Sequence, residues 1–192
     1  DGVVIIADKR VKDILIAPES ANRVFEIDNH AMAAAAGISS DARILIERAQ
    51  LIAQQHRVTY DSDIEIESLV KEIANLKQAF SKYGGARPFG VSIMIAGVSG
   101  KKPRLFVTDV TGNYFSYRAS AIGENDEKFK EELRKNYDDK MTIEEGIKMG
   151  LKIFKEILGK NFSIERFDIA YIANEDVKIK RIQGDGLKKY AK

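Results

Sequence analysis

Tyr83-Gly84-Gly85-Ala86-Arg87-Pro88-Phe89-Gly90-Val91-Ser92 is the place where one periodicity in this chain gives way to another. Upstream of it, Ile66, Leu69, Val70, Ile73, Ala74, Lys77 and Phe80 recur on adjoining helical rows, which predicts a helix from near Ile66. Gly84-Gly85 and Pro88 end that helix, because proline lacks the N–H that a helix interior needs and glycine readily leaves helical backbone. Downstream, residues 91–96 form a short apolar run of strand type, and similar runs follow at 104–108 and 114–119. Residues 97–102 and Gly112-Asn113 supply the turns of what reads as a meander of strands.

Working back toward the N-terminus, a second helical pattern precedes the first. Ala42, Leu45, Ile46, Ala49, Ile52 and Ala53 follow Ser39-Ser40-Asp41, a cluster of N-cap residue types, so a helix is expected over 41–57. Before it, residues 23–28 alternate apolar with polar, and 31–36 are a small-residue run that suits a buried strand. Val3 to Ala7 is apolar, and the Asp1-Gly2 pair ahead of it favours a hairpin turn. The other arm of such a hairpin would precede residue 1, so the expectation is a chain truncated at its N-terminus.

Toward the C-terminus, Phe129 and Leu133 mark a short helix ending near Tyr137. Thr142 and Glu145 then make a capping box that opens another helix carrying Ile147, Leu151, Phe154 and Leu158. Gly159 closes it, strands are expected over 167–173 and 177–182, and the chain ends in a Lys-rich tail. Strands and helices thus come in groups rather than in single alternation. That order fits an α/β chain of the α+β kind, with two mainly antiparallel sheets sandwiched between helix pairs, as one domain over residues 1–192.

Composition narrows the function. With 44% hydrophobic and 31% charged residues the chain has enough apolar material for a core and enough charge to stay hydrated. Lys and Arg number 31 against 29 Asp and Glu, and a net charge of +2 implies neither nucleic acid nor an acidic membrane as partner. The absence of cysteine removes disulfides, thiol nucleophiles and thiolate metal sites, and suits a reducing, cytoplasmic setting. No apolar run approaches the roughly 18 residues that a membrane span needs.

Candidate chemistry is sparse. His30 and His56 are the two histidines, and neither sits in a metal-ligand spacing. Asp61-Ser62-Asp63 resembles the opening of a calcium loop but lacks its Gly and terminal Glu, so helix-start capping is the reading. The basic residues around Lys101, Lys102 and Arg104 suit a solvated turn, and 128–135 a wet helix face. Gly84-Gly85 and residues 97–100 lack the context of a phosphate cradle, and no Gly-x-Ser-x-Gly elbow is present. These readings leave no metal and no cofactor.

Tyr83 to Ser92 resembles the segment that marks α-type proteasome subunits, especially archaeal ones. Asp1-Gly2-Val3-Val4-Ile5-Ile6-Ala7-Asp8-Lys9-Arg10, Ala36-Gly37-Ile38-Ser39-Ser40-Asp41-Ala42-Arg43, Thr108-Asp109, Tyr117 and Ala119-Ser120-Ala121-Ile122-Gly123 follow the family's order, the likeness weakening after Gly123. The resemblance implies the four-layer αββα sandwich of the N-terminal nucleophile hydrolases. It also implies a non-catalytic subunit. The family's β-type members cut peptides with an N-terminal Thr tuned by a Lys and an Asp. Asp8 aligns with that acidic residue, but Arg23 stands where Lys is usual, and a guanidinium stays charged and is a poor proton shuttle. The Gly-Ser turn near the β-type active site is replaced by Gly123-Glu124-Asn125.

In α types the corresponding Lys lines a pocket between subunits that receives the C-terminal carboxylate of an activator tail. The resemblance carries that role to Arg23, Gly37 and Ile38, since Arg binds carboxylates with two parallel hydrogen bonds. Asp41, Arg43, Tyr83, Gly84, Gly85, Arg87, Pro88 and Phe89 belong to the family signature and are expected at a subunit interface. The implied partners are other α-type subunits in a seven-membered ring, β-type subunits, and the C-terminal tails of an activator or ATPase unfoldase. The family's gating tail, first helix and first strand have no counterpart here, which leaves an unpaired edge expected at Val3 to Ala7. The alternative is a β-type or stand-alone hydrolase whose nucleophile lies upstream of residue 1.

Overall fold

The computed structural model describes residues 1–10 and 15–190, so residues 191–192 of the Lys-rich tail lie outside the described residues. Alternation along two strands sets its layers. In β3 (Ala31–Gly37) and β4 (Val91–Ser99) successive side chains point to opposite faces. Ala31, Ala33, Val91, Ile93 and Ile95 face two long helices, α1 (Ser39–Tyr60) and α2 (Ile66–Lys82), where Leu45, Ile46, Leu69 and Ile73 complete a buried cluster. Met32, Ala34, Met94, Ala96 and Val98 face the other way, onto Ile5, Ala170 and Ile172 of a second sheet.

The alternation repeats in that second sheet. In β1 (Gly2–Asp8) and β7 (Phe167–Ala173), Val4, Ile6, Phe167 and Ile169 turn outward onto α4 (Ile143–Leu158), meeting Ile147 and Leu151. Helix α3 (Asp126–Asn136) rides on α4 through an edge-on contact of Phe129 with Phe154 at 4.5 Å. The layers are therefore helix pair, sheet, sheet, helix pair, as the grouping of elements and the family resemblance both imply.

One sheet has the order β2-β3-β4-β5-β6, with β2 (Val24–Asp28), β5 (Lys102–Thr108) and β6 (Tyr114–Ser116) around the two central strands. The other has the order β1-β7-β8, with β8 (Ile179–Ile182). All pairings are antiparallel. β1 pairs with β7 from Gly2 to Asp8, and among the described residues its other edge has no strand partner. A short helix α5 (Asp185–Lys188) follows β8. No helix among the described residues is long and apolar enough to cross a membrane.

Several local expectations are corrected. Asp1-Gly2 is not a hairpin turn: Gly2 is already in β1 opposite Ala173, and Asp1 Oδ1 accepts the backbone N–H of Ile143 at 2.9 Å at the start of α4. Asp61 does not cap a helix start but ends α1 in left-handed backbone, its N–H returning to the Arg57 carbonyl. Gly97 lies inside β4, and the turn is the pair Gly100-Lys101, both at positive φ as a two-residue hairpin of type I′ requires. β6 stops at Ser116, short of residue 119. The Thr142–Glu145 capping box forms with both of its reciprocal bonds.

Lys77 sits on the buried face of α2 with no solvent exposure. Its ammonium donates to the Val91 carbonyl at 2.9 Å and to Thr108 Oγ1 at 3.1 Å, pinning α2 to the ends of β4 and β5. Burial pushes its pKa down to about 8, against a smaller upward pull from Asp109. The unfolded chain therefore binds more protons than the native one above that pH, so this residue's contribution becomes more favourable as pH rises from about 8 toward 10.5. Urea midpoints of the chain and of Lys77→Met, measured between neutral pH and pH 10, are expected to show the native chain gaining relative to the variant as pH rises.

Candidate functional site

β2 is held to the second sheet by a buried carboxylate. Asp168, 1% exposed, lies on the inward face of β7 with Ala170 and Ile172. Its Oδ2 accepts the backbone N–H of Arg23 and of Val24, each at 2.8 Å. Arg181 of β8 donates to both carboxylate oxygens, at 2.9 and 3.1 Å, and also to the Val24 carbonyl. The Arg23 backbone is thus fixed while its side chain stays exposed, and its guanidinium donates to the Asn22 carbonyl at 3.2 Å. Asp168 and Arg181 were not singled out from sequence. The signal available was a single Asp on the inward phase of an otherwise apolar strand.

Gly37 and Ile38 stand at the end of β3, where the chain turns into α1. Gly37 has φ +133, and a Cβ there would overlap the Gly90 carbonyl oxygen and lie 2.8 Å from the Val91 Cα. Ile38 N–H donates to that same Gly90 carbonyl at 2.9 Å. Asp41, read from sequence as an N-cap type, spends its carboxylate elsewhere: the N-cap is Ile38, with no side-chain cap bond. Arg87 donates to Asp41 through both terminal nitrogens, at 2.6 and 2.8 Å, and Gly90 N–H adds a third bond at 2.8 Å. These bonds, Arg87 first and Gly90 second, hold the Asp41 carboxyl down at about 2.

The signature residues therefore divide. Gly37, Ile38, Asp41, Arg87 and Gly90 are knotted together within the chain, and Phe89 is buried against Phe80 at 4.7 Å between ring centres. Tyr83, Gly84, Gly85 and Pro88 are exposed in the loop before β4. Arg43 is also exposed, paired with Glu47 one helical turn on.

Arg23 and Gly37 line one cleft of about 1000 Å³ that runs along β1, and Ile38 is not part of its lining. Since Val24 pairs with Ala34, the antiparallel register sets Arg23 opposite Ala35, two residues short of Gly37. Asp8 also lines the cleft, but Arg166 occupies its carboxylate at 2.6 and 3.1 Å. Arg10 lies against Asp8 at 3.5 Å and pairs with Glu124 of the Gly123-Glu124-Asn125 turn. The Asp8 carboxylate is thus held by one guanidinium with a second beside it, and Lys9 and Arg23 both line the cleft.

The family profile described as Proteasome subunit matches residues 1–172 of this chain. The chain belongs to the proteasome subunit family. Its relatives include the proteasome subunit alpha of Methanocaldococcus jannaschii, 40% identical over 189 residues that span 98% of this chain and 72% of that protein. The proteasome subunit alpha of Thermococcus sibiricus is 43% identical over 182 residues, 95% of this chain and 69% of that one. That of Methanothermobacter thermautotrophicus is 39% identical over 188 residues, 98% and 76%. The proteasome fold resemblance drawn from the loop at Tyr83 to Ser92 thus extends along nearly the whole chain.

Asp41 gives this proteasome-family chain an acid-sensitive knot. Its folded pKa lies below the ordinary value of 3.8, so its stabilising contribution is present above about pH 4 and is lost as pH falls toward 2. Arg87→Ala removes the main partner and leaves a buried carboxylate on one N–H. Acid unfolding followed by circular dichroism is expected to begin at higher pH in Arg87→Ala than in the native chain, while Arg43→Ala leaves the midpoint in place.

Proposed function

We propose that this chain is a non-catalytic α-type subunit of a proteasome core particle, working in the cytoplasm. In this reading residues 1–192 form one subunit domain. Copies close head-to-tail into a ring of seven, the ring stacks on β-type rings, and it receives the C-terminal tails of an activator or ATPase unfoldase. A ring of heterologous contacts needs no catalytic centre in the subunit itself. The observation that carries the reading is the state of the cleft. Asp8, the counterpart of a catalytic acid, is paired with Arg166, and Arg23 presents a permanently charged guanidinium where proton transfer would require a lysine. The curated relatives, named proteasome subunit alpha, support the same assignment.

Arg23 is proposed as the receiver of the incoming carboxylate, with Gly37 and Ile38 beside it. Its backbone is clamped by Asp168 while its side chain is exposed. Asp41, Arg43, Tyr83, Gly84, Gly85, Arg87, Pro88 and Phe89 are proposed to shape the adjoining subunit contact, with Asp41 and Arg87 acting through the loop they brace. Gly37 is a poor probe of this pocket, because any Cβ there collides with the Gly90 backbone and would disturb the fold as well as the site.

Two measurements test the assignment. Native mass of the chain, alone and mixed with the β-type subunit of the same organism, is expected to give ring-sized assemblies, with peptide cleavage in the mixture only. Cleavage by the chain alone would overturn the non-catalytic reading. In such assemblies Arg23→Ala is expected to weaken binding of a peptide with a free C-terminal carboxylate by about tenfold or more, the worth of a charge-assisted pair. A C-terminally amidated peptide should bind both proteins alike.

A further inference from the structure

The turn between β2 and β3 and the loop between α1 and α2 bring three ligand-type side chains together, away from the cleft. Asp28 ends β2, His30 precedes β3, and Asp63 lies in the loop after α1. One donor atom from each falls within 4.8 Å of the others. A cluster of acids alone would mean little, but His30 adds an independent observation. Its side chain is 2% exposed, and Nε2 lies 2.7 Å from the Ile64 carbonyl. A carbonyl only accepts, so Nε2 carries the proton and the neutral ring keeps its lone pair on Nδ1. Nδ1 is buried without a hydrogen-bond partner and faces Asp28 Oδ2 and Asp63 Oδ2, each at 3.9 Å.

In the neutral ring, three lone-pair atoms converging with no proton among them repel one another. A cation resolves that arrangement. We propose that Asp28, His30 and Asp63 form a binding site for one divalent transition-metal ion of the zinc class. One imidazole nitrogen and two carboxylate oxygens suit such an ion better than magnesium or calcium, which prefer oxygen alone. An ion about 2.1 Å from each donor in tetrahedral geometry sets the donors roughly 3.4 Å apart, so the two 3.9 Å spacings need to close by about half an ångström. Asp63, more than half exposed, is on the side free to move. Solvent supplies the fourth position there.

The surrounding groups fit a ligand set. A metal-bound histidine characteristically donates its other N–H to a carbonyl or carboxylate, and the Ile64 carbonyl does this for His30. Arg57 donates to Asp28 Oδ1 at 2.8 Å and to Asp63 Oδ1 at 2.6 Å, orienting both carboxylates through the oxygens the ion would not use. It also touches Asp28 Oδ2 at 2.9 Å, a contact the ion would displace. The guanidinium cancels one of the two negative charges, which lowers the affinity expected of the site. The site owes nothing to the assignment as a proteasome subunit.

The test uses the full chain titrated with Co²⁺ and with Zn²⁺. One equivalent of Co²⁺ is expected to bind with visible d–d absorption and to be displaced by Zn²⁺, and Zn²⁺ is expected to raise the melting temperature. Asp63→Asn, an exposed substitution that leaves the core intact, should weaken Co²⁺ at least tenfold, and His30→Gln should abolish the absorption. His56→Gln serves as the control and should change nothing. Absence of saturable binding at millimolar Co²⁺, or binding unaltered in Asp63→Asn, or binding lost in His56→Gln, would overturn the proposal.

Discussion

A single buried carboxylate, that of Asp168, sets the relation between the two sheets. A charge 1% exposed is tolerable only when its lone pairs are satisfied, and here two backbone N–H groups and a guanidinium do so. The two N–H groups belong to Val24, the first residue of β2, and to Arg23 just before it, so the five-stranded sheet is fastened to β7 at the point where it begins. From there the register is transmitted strand by strand. Val24 opposite Ala34 and Gly37 opposite Val91 follow as consequences, and with them the distance between Arg23 and the β3–α1 turn.

That turn is governed by a second constraint of the same kind. Gly37 and Gly90 approach so closely that neither accepts a side chain without displacing backbone or Ile38, and Ile38 N–H bonds the Gly90 carbonyl between them. The pair Asp41–Arg87 then ties the first turn of α1 to the loop that precedes β4. The long glycine- and proline-containing loop is thereby held in place although most of it is exposed. Its sequence is demanding for that reason: Gly90 leaves room for Ile38 and Arg87 supplies a fork-shaped cation.

Much of the layering was legible in the sequence because it is local. Helical rows in 66–80, strand alternation in 23–28 and the capping box at Thr142 each depend on residues within one or two turns of one another, and all appear where their patterns place them. The charge pairs were not legible, because Asp8 meets Arg166, Asp28 meets Arg57 and Asp41 meets Arg87 only after the chain has folded back. Asp41 shows the cost of reading locally: its residue type suits an N-cap, yet a partner 46 residues away takes it. Asp1-Gly2 shows the same error from the other side, since the glycine of a turn-forming pair is drawn into a strand by its partner Ala173.

These pairings also bear on the cleft. Asp8, Asp28, Asp41 and Asp168 are carboxylates held largely out of water, and each is matched by an arginine from a different element. Burying a carboxylate in this fold has therefore meant supplying a guanidinium, and the cleft's acid is consumed in that way by Arg166. Arg23 is the converse case. Its backbone is spent on Asp168, but its guanidinium meets only the neutral carbonyl of Asn22 among the described residues. An exposed guanidinium beside the cleft, on backbone held by Asp168, has the chemistry that the proposed carboxylate contact calls for. A guanidinium stays charged, so the property that makes this position a poor proton shuttle is the same one that the proposed contact would use.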